Sequence, residues 1–566
     1  MTDVRRIPIR DMPKTQQDNI QSLMKAGFIP GISIASVSPN GSITAAALGL
    51  ANAQTETKVD SDTQFWACSL SKPVFAYLVI KLIADGTLPF FLDEKISHNG
   101  KEITPRMMLS HQTGLPNQGP PDSQFNDSKP GEVFRYSGEG YVLLQKIIKE
   151  RTGKELNALA NEKIFEPLGM TRSSFLFLET EPNLAEQHND AMNPSQKQKS
   201  PATNNHAGAS LHTTAVDYAR FLTACMDDLN FVEMMTPQIT NMEKDLDSKE
   251  VGRETLKHID WGLGFGLQRD EKGQVVSAFH WGHGPGARTF FSINLKNNSA
   301  VVYLTNSENG MAIAEEIAKQ PVGNISATIR FLSEKYGYRS IHSPGWQEYH
   351  EKLMAGIAEE KAGNYDQAIS AYQEALSLRP DKKYEFAYRI MWAEIQKAQE
   401  IPADTSVNLE NFIGQYGPLK ILSADSKNLQ IEVGDPRPHD LKIIDNNTLL
   451  DLNDGTIFKI NREVNPASLT CNFRDRPPFV TKPSQPMITN AESSLSGTAR
   501  TAVLLGIPSS DLTPAQRLLN PQNSTSNTTN PSTSQSEKTK DAELTDEEVA
   551  RSAFGKGSDT VRKSRH

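Results

Sequence analysis

FWACSLSKPVFAYLVIKLIADG, residues Phe65–Gly86, is the stretch whose reading decides the fold. Ser69 and Lys72 are three apart, so on a helix they share one face and the ammonium reaches the hydroxyl. Pro73 locates the helix start, because proline is tolerated only where its missing N–H has no intrahelical partner. The helix is therefore predicted to begin near Cys68 or Ser69, which puts the serine at the positive end of the helix dipole, where an oxyanion is favoured. A serine hydroxyl is a poor nucleophile at neutral pH, and a close lysine in a partly desolvated site can serve as its base or hold its proton network. The spacing alone proves little. Ordinary frequencies give about two or three Ser-x-x-Lys matches in a chain of this length, and a second one, Ser22 to Lys25, reads as surface helix.

The order of the surrounding motifs decides. In chain order they are MMLSHQTGLP (Met107–Pro116), PGEVFRYSGEGY (Pro130–Tyr141), FEPLGM (Phe165–Met170), AGASLHTTAVDYARF (Ala207–Phe221), WGLGFGL (Trp261–Leu267), HWGHGPG (His280–Gly286) and VVYLTNSENG (Val301–Gly310). Together with Ser69–Lys72, and over about residues 15–335, this succession resembles the penicillin-recognising serine hydrolases. The branch it is most similar to is that of the class C β-lactamases and the related esterases and carboxypeptidases.

The resemblance implies roles residue by residue. Ser69 matches the nucleophile that the substrate acylates, and Lys72 matches its partner. Tyr136 matches the tyrosine of the family's Tyr-x-Asn motif, which moves a proton between nucleophile and leaving group. A tyrosine near pKa 10 is a feeble base unless a cation stabilises its phenolate, a part expected of Lys72. His280-Trp281-Gly282 matches the third motif, Lys-Thr-Gly or His-x-Gly, on a strand lining the site. The backbone N–H after that glycine, His283, then pairs with that of Ser69 as an oxyanion hole. Aligning His283-Gly284-Pro285 instead would put Pro285 at the required glycine. The chain departs from the family twice. Gly138 stands where Tyr-x-Asn has its amide, and His280-Trp281 replace a lysine and a hydroxyl that grip a carboxylate. A histidine is mostly neutral at pH 7, so an ester or small amide is expected to fit better than a β-lactam. Trp281 either fills part of the pocket or faces the core.

Other conspicuous residues read as structural. His111 is expected to fix a loop by hydrogen bonds, and Thr214-Ala-Val-Asp217 reads as a helix capping box. His206, His212 and His258 have no partner at metal spacing, so neither metal nor cofactor is expected. Cys68 reads as packing. Cys68, Cys225 and Cys471 are too few and too far apart for a disulfide framework.

Working outward, the first 340 residues mix strand-like runs (ISIASVS, SITAAALGL, FFSINLKN, AVVYLTN) with helical stretches such as Tyr141–Thr152. Strands at both ends with helices between them predict an α+β domain, a β-lactamase/transpeptidase-like antiparallel sheet plus helical subdomain. Residues 345–400 turn helical, and AGNYDQAISAYQEALSLRP within them resembles half a tetratricopeptide repeat. A helical hairpin docked on a neighbouring domain is expected, with a protein-binding groove as the alternative. Residues 405–480 alternate as a small antiparallel β domain. Past residue 485 the chain is polar and is expected to be a disordered tail.

The 566 residues carry 59 Lys+Arg against 68 Asp+Glu, a net charge of −9. That balance argues against nucleic acid or anionic membrane as main partner. The hydrophobic share of 37% falls below the usual ~45–50%, which counts glycine, and the shortfall is placed largely in the tail. The N-terminus lacks the apolar core of a secretory signal. The longest apolar run, Pro73–Ala84, contains Lys81 and is too short to span a bilayer. A cytoplasmic protein is expected, although AELTDEEVARSAFGKGSDTVRKSRH at the end resembles the C-terminal signals of effectors exported by type IV secretion. The leading expectation is a serine hydrolase working through an acyl-enzyme. The alternative is a degenerate hydrolase fold serving as an interaction protein.

Overall fold

The computed structural model describes residues 7–480, apart from 119–128, 177–180, 195–204, 240–241, 243–250 and several connections between 401 and 478. The expected tail and its export signal lie outside the described residues. The chain divides into two compact units, Met1–Glu351 and Lys352–His566.

The first unit is built on one mixed sheet. Its main strands are β1 (Ile9–Asp11), β2 (Gly31–Val37), β3 (Ile43–Asn52), β4 (Ile259–Trp261), β5 (Gly266–Arg269), β6 (Val275–Gly284), β7 (Ala287–Asn294) and β8 (Ser299–Thr305), in the spatial order β1-β3-β2-β8-β7-β6-β5-β4, and a ninth, two-residue strand, Thr57–Lys58, pairs with β3 off this path. Every pairing along this order is antiparallel except that of β1, which joins β3 in parallel and so departs from the all-antiparallel expectation. The two ends of the domain meet at the centre of the sheet, where Thr305 lies opposite Ile32.

Both faces of the sheet are covered, and the period-2 alternation of strand side chains sorts them. Ile32, Ile34, Val301 and Tyr303 enter one buried layer with Ile20 and Met24 of α1 (Lys14–Ala26). Ala35, Val37, Val302 and Leu304 enter the other, with α2 (Ser71–Ala84) and α4 (Ala215–Asp227). Helix α2 is apolar on every side and is buried from Ser71 to Ile80, which makes it the central helix of this layer. Helix α3 (Glu139–Thr152) and α5 (Ser326–Tyr336) complete the elements that frame the site.

Thr214 caps α4 by accepting from the Asp217 N–H, as the capping box predicts. The Asp217 carboxylate does not return the bond. It accepts instead from the Arg172 N–H and the Ser173 hydroxyl, and burial raises its pKa to about 6.

Three helices follow one another where a two-helix hairpin is expected: α6 (Trp346–Lys361), α7 (Tyr365–Leu378) and α8 (Lys383–Glu400). The division between the two units falls inside α6. In the second unit Tyr372 of α7 packs so closely on Gly356 that a Cβ there would sit 2.5 Å from its ring. An eight-stranded antiparallel meander then runs from Gly414 to Val480 with neighbours paired in sequence order.

Candidate active site

Ser69 sits in a 3₁₀ turn, Cys68–Leu70, that leads directly into α2. Pro73 occupies the first turn of that helix, as its missing N–H requires. Cys68 holds φ at +52°, a left-handed conformation that costs a non-glycine residue about 1–3 kcal/mol and survives only where surroundings over-determine it. They do so here. The Ser71 hydroxyl donates to Cys68 O at 2.6 Å and accepts from the Leu211 N–H at 3.0 Å. Thr289 Oγ1 of β7 donates to Ala67 O at 2.9 Å, and the Tyr218 hydroxyl donates to Leu70 O at 2.9 Å. Cys68 is buried, and burial pushes its thiol pKa up, so the sulfur packs and does not ionise.

Lys72 is 2% exposed, and its Nζ donates to Ser69 Oγ at 3.2 Å and to Gly208 O at 2.8 Å. Both partners are neutral. Burial therefore wins and lowers the ammonium's pKa to about 7, against a small raising effect from Cys68. An ammonium so placed gives up its proton more readily than an exposed lysine does.

Tyr136 is buried over the same lysine, with Lys72 Nζ 4.8 Å from its ring centroid. Burial raises the phenol's pKa, and the Ser69 hydroxyl beside it acts in the opposite sense. Lys72 addresses the ring face, and burial favours the protonated phenol. The group keeps its proton and can hand it on. His111 holds it in place, as expected of a loop-fixing histidine. Its Nδ1 accepts from the Ser137 N–H at 3.0 Å, and its ring lies 4.3 Å from that of Tyr136. The missing amide at Gly138 has a steric reason, because a Cβ there would collide with the Asn117 carbonyl.

His280 and Gly282 lie on β6, whose pairing with β5 reaches only Phe279, while β7 accompanies it to Gly284. Residues 280–284 thus present an edge free of strand pairing among the described residues. His280 is fully buried and shares a 2.8 Å hydrogen bond from Nδ1 to the Trp281 carbonyl, so Nδ1 carries the proton and Nε2 is an acceptor. Burial, with repulsion from Lys72, pulls its pKa down to about 3. It is a neutral group and supplies no fixed positive charge. Trp281 is 3% exposed and packs on Phe279, Phe331 and Tyr336, which answers the earlier alternative in favour of the core.

Gly282 is where the strand meets the nucleophile turn. A Cβ there would collide with Thr289 Oγ1 and come within 2.6 Å of Ala67 O and 2.9 Å of Cys68 Cβ. Gly282→Ala is expected to cost about 1–3 kcal/mol by overpacking and to push β6 away from Ser69. Thermal unfolding should show the first effect, and a loss of ester turnover larger than the stability loss accounts for should show the second.

The structure thus brings Ser69, Lys72, Tyr136, His280 and Gly282 into one site. Gly208 was not read from the sequence as a site residue, because its contribution is a backbone carbonyl. His206 supports it by accepting from the Gly208 N–H at 3.0 Å. Ser22 and Lys25, the second Ser-x-x-Lys pair, lie exposed on α1 as expected.

The family described as Beta-lactamase matches residues 17–320. Penicillin-binding protein 4* of Bacillus subtilis (strain 168) is 24% identical over 313 residues, 48% of this chain and 67% of that protein. Penicillin-binding protein 4 of Amycolatopsis lactamdurans is 24% identical over 187 residues, 28% of this chain and 48% of its own length. The chain thus spans about two thirds of the first relative and under half of the second. A solved structure described as a class C beta-lactamase aligns at 21% identity over 55% of this chain and 96% of its own, with a TM-score of 0.44.

Proposed function

The chain belongs to the beta-lactamase family, and on that premise we propose that its first unit is a serine hydrolase acting through an acyl-enzyme on an ester or small amide. Neutral Lys72 takes the proton from Ser69 Oγ as that oxygen attacks the substrate carbonyl carbon. The new C–O bond pushes the carbonyl electrons onto oxygen, where the N–H groups of Ser69 and His283 receive them. Collapse breaks the bond to the leaving group, which departs with a proton relayed from Lys72 through the Tyr136 hydroxyl. Water then enters by the same steps in reverse and frees the serine.

The observation that carries this reading is the 3.2 Å contact between Ser69 Oγ and a buried lysine whose hydrogen-bond partners are uncharged. Neutral His280 favours substrates without an anionic group at that position. Turnover of p-nitrophenyl esters and D-amino-acid amides should therefore exceed that of a chromogenic β-lactam by at least about tenfold in kcat/KM, one pairing's worth of binding. A β-lactam turned over faster than both would overturn the substrate class. Among the described residues no helix is long and apolar enough to cross a membrane.

A further inference from the structure

The strand end that carries His283 must hold its backbone N–H to within a few tenths of an ångström, since an oxyanion donor works only at hydrogen-bonding distance. Its neighbours Gly282 and Gly284 have no side chains with which to anchor it. The anchors therefore lie on the other face, where Trp281 and His283 point, and one residue engages both. We infer that Tyr338 is a positioning residue for the candidate oxyanion strand. It follows the C-terminal end of α5, where Gly337 at φ +68° turns the chain, and it lies beyond the residues the family match covers.

The geometry is a clamp. His283 Nδ1 and the Tyr338 hydroxyl are 2.5 Å apart. His283 is exposed, and the nearby Arg288 guanidinium disfavours a charged imidazole there. Burial raises the phenol, with Arg288 and the Trp281 indole N–H working against it. The phenol and Nδ1 share one hydrogen bond, and the Trp281 indole N–H turns to the same phenol oxygen. The rings continue the contact: Tyr338 stacks on Tyr336 at 5.8 Å, and Tyr336 lies 4.9 Å from Trp281. Arg288, from the neighbouring strand, donates to Gly284 O and Ala287 O and closes the hairpin behind. Among the described residues the Tyr338 hydroxyl bonds to His283 and Trp281 of the strand, not to Ser69 or Lys72. It acts through the strand.

This inference rests on the His283 N–H being an oxyanion donor, and the test separates the two. Tyr338→Phe keeps the ring stack and removes only the hydroxyl. For p-nitrophenyl acetate kcat is expected to fall about tenfold with KM changed less than about twofold, short of the ~10²–10³ for losing a donor itself. His283→Ala should lower kcat to a similar extent, and the double variant should lose no more than either single one, because both break one contact. Thermal midpoints within a few degrees of the parent show that the fold is intact; if Tyr338→Phe unfolds, the KM-against-kcat split of His283→Ala decides. Undiminished kcat in Tyr338→Phe, or additive losses, overturns the positioning role while the hydrolase reading stands. A parent protein that neither turns over the ester nor takes up a fluorophosphonate overturns both.

Discussion

Ser69→Ala is expected to lose fluorophosphonate labelling altogether and to lower ester hydrolysis by roughly 10³-fold or more, the scale on which a nucleophile and base that act as a unit fail when one member goes. The fold should not notice. Ser69 is half-buried, and its hydroxyl meets Lys72 and the Tyr136 hydroxyl, whereas Ser71 and Thr289 hold the turn around it. Lys72 retains its bond to Gly208 O in the variant. A melting temperature close to the parent's, with labelling gone, therefore assigns the loss to chemistry. Equal labelling of the variant would show that another residue reacts. Cys68 is next in the chain, but its buried thiol is held protonated and makes a poor substitute.

Lys72→Met is expected to cost about 10²–10⁴-fold in kcat/KM, the range assigned to a positioned acid–base group. Methionine is close to lysine in length and carries no charge into the buried site. Stability should therefore hold or rise, since an ammonium that burial has driven to a pKa of about 7 is an unfavourable group to bury. Activity and stability moving in opposite directions is what a purely structural lysine would not produce. The pH dependence has a definite sign. The base works deprotonated, so kcat/KM of the parent should rise through about pH 7 and level off above it. The variant should lack that limb. The same depressed pKa makes the unfolded chain bind the extra proton between about pH 7 and the ordinary lysine value of 10.5. Parent stability relative to Lys72→Met should therefore increase with pH across that window.

What the sequence reveals about the site depends on how local each arrangement is. Ser69 and Lys72 are legible because one helical turn joins them and Pro73 marks where it starts. Tyr136, His280 and Gly282 are legible only through the order of motifs, as nothing in their spacing brings β6 to the head of α2. The ionisation states are legible only for His280, whose ordinary pKa already makes it mostly neutral at pH 7. Lys72 near neutrality and an un-ionised Tyr136 follow from burial among particular neighbours. Asp217 shows the same limit on a smaller scale: its position predicts a capping box, and Ser173 and Arg172 recruit its carboxylate instead. Tyr338 is the extreme case, 55 residues beyond His283 with no periodicity linking them. The parallel β1 escaped notice because three residues are too few to show a period.

The meeting of β2 with β8 has a consequence for biosynthesis. Helix α2 and its serine leave the ribosome early, yet the strands that buttress the serine turn, β6 and β7, and the strand that locks them to the N-terminal half, β8, are made last. Closing the sheet means joining Thr305 to Ile32 across nearly the whole domain, and such long loops must be closed before any contact rewards them. Until then the unpaired edge of β2 and the largely apolar α2 are exposed together, and the serine turn lacks the Thr289 bond that holds it. The serine is made early and becomes reactive late.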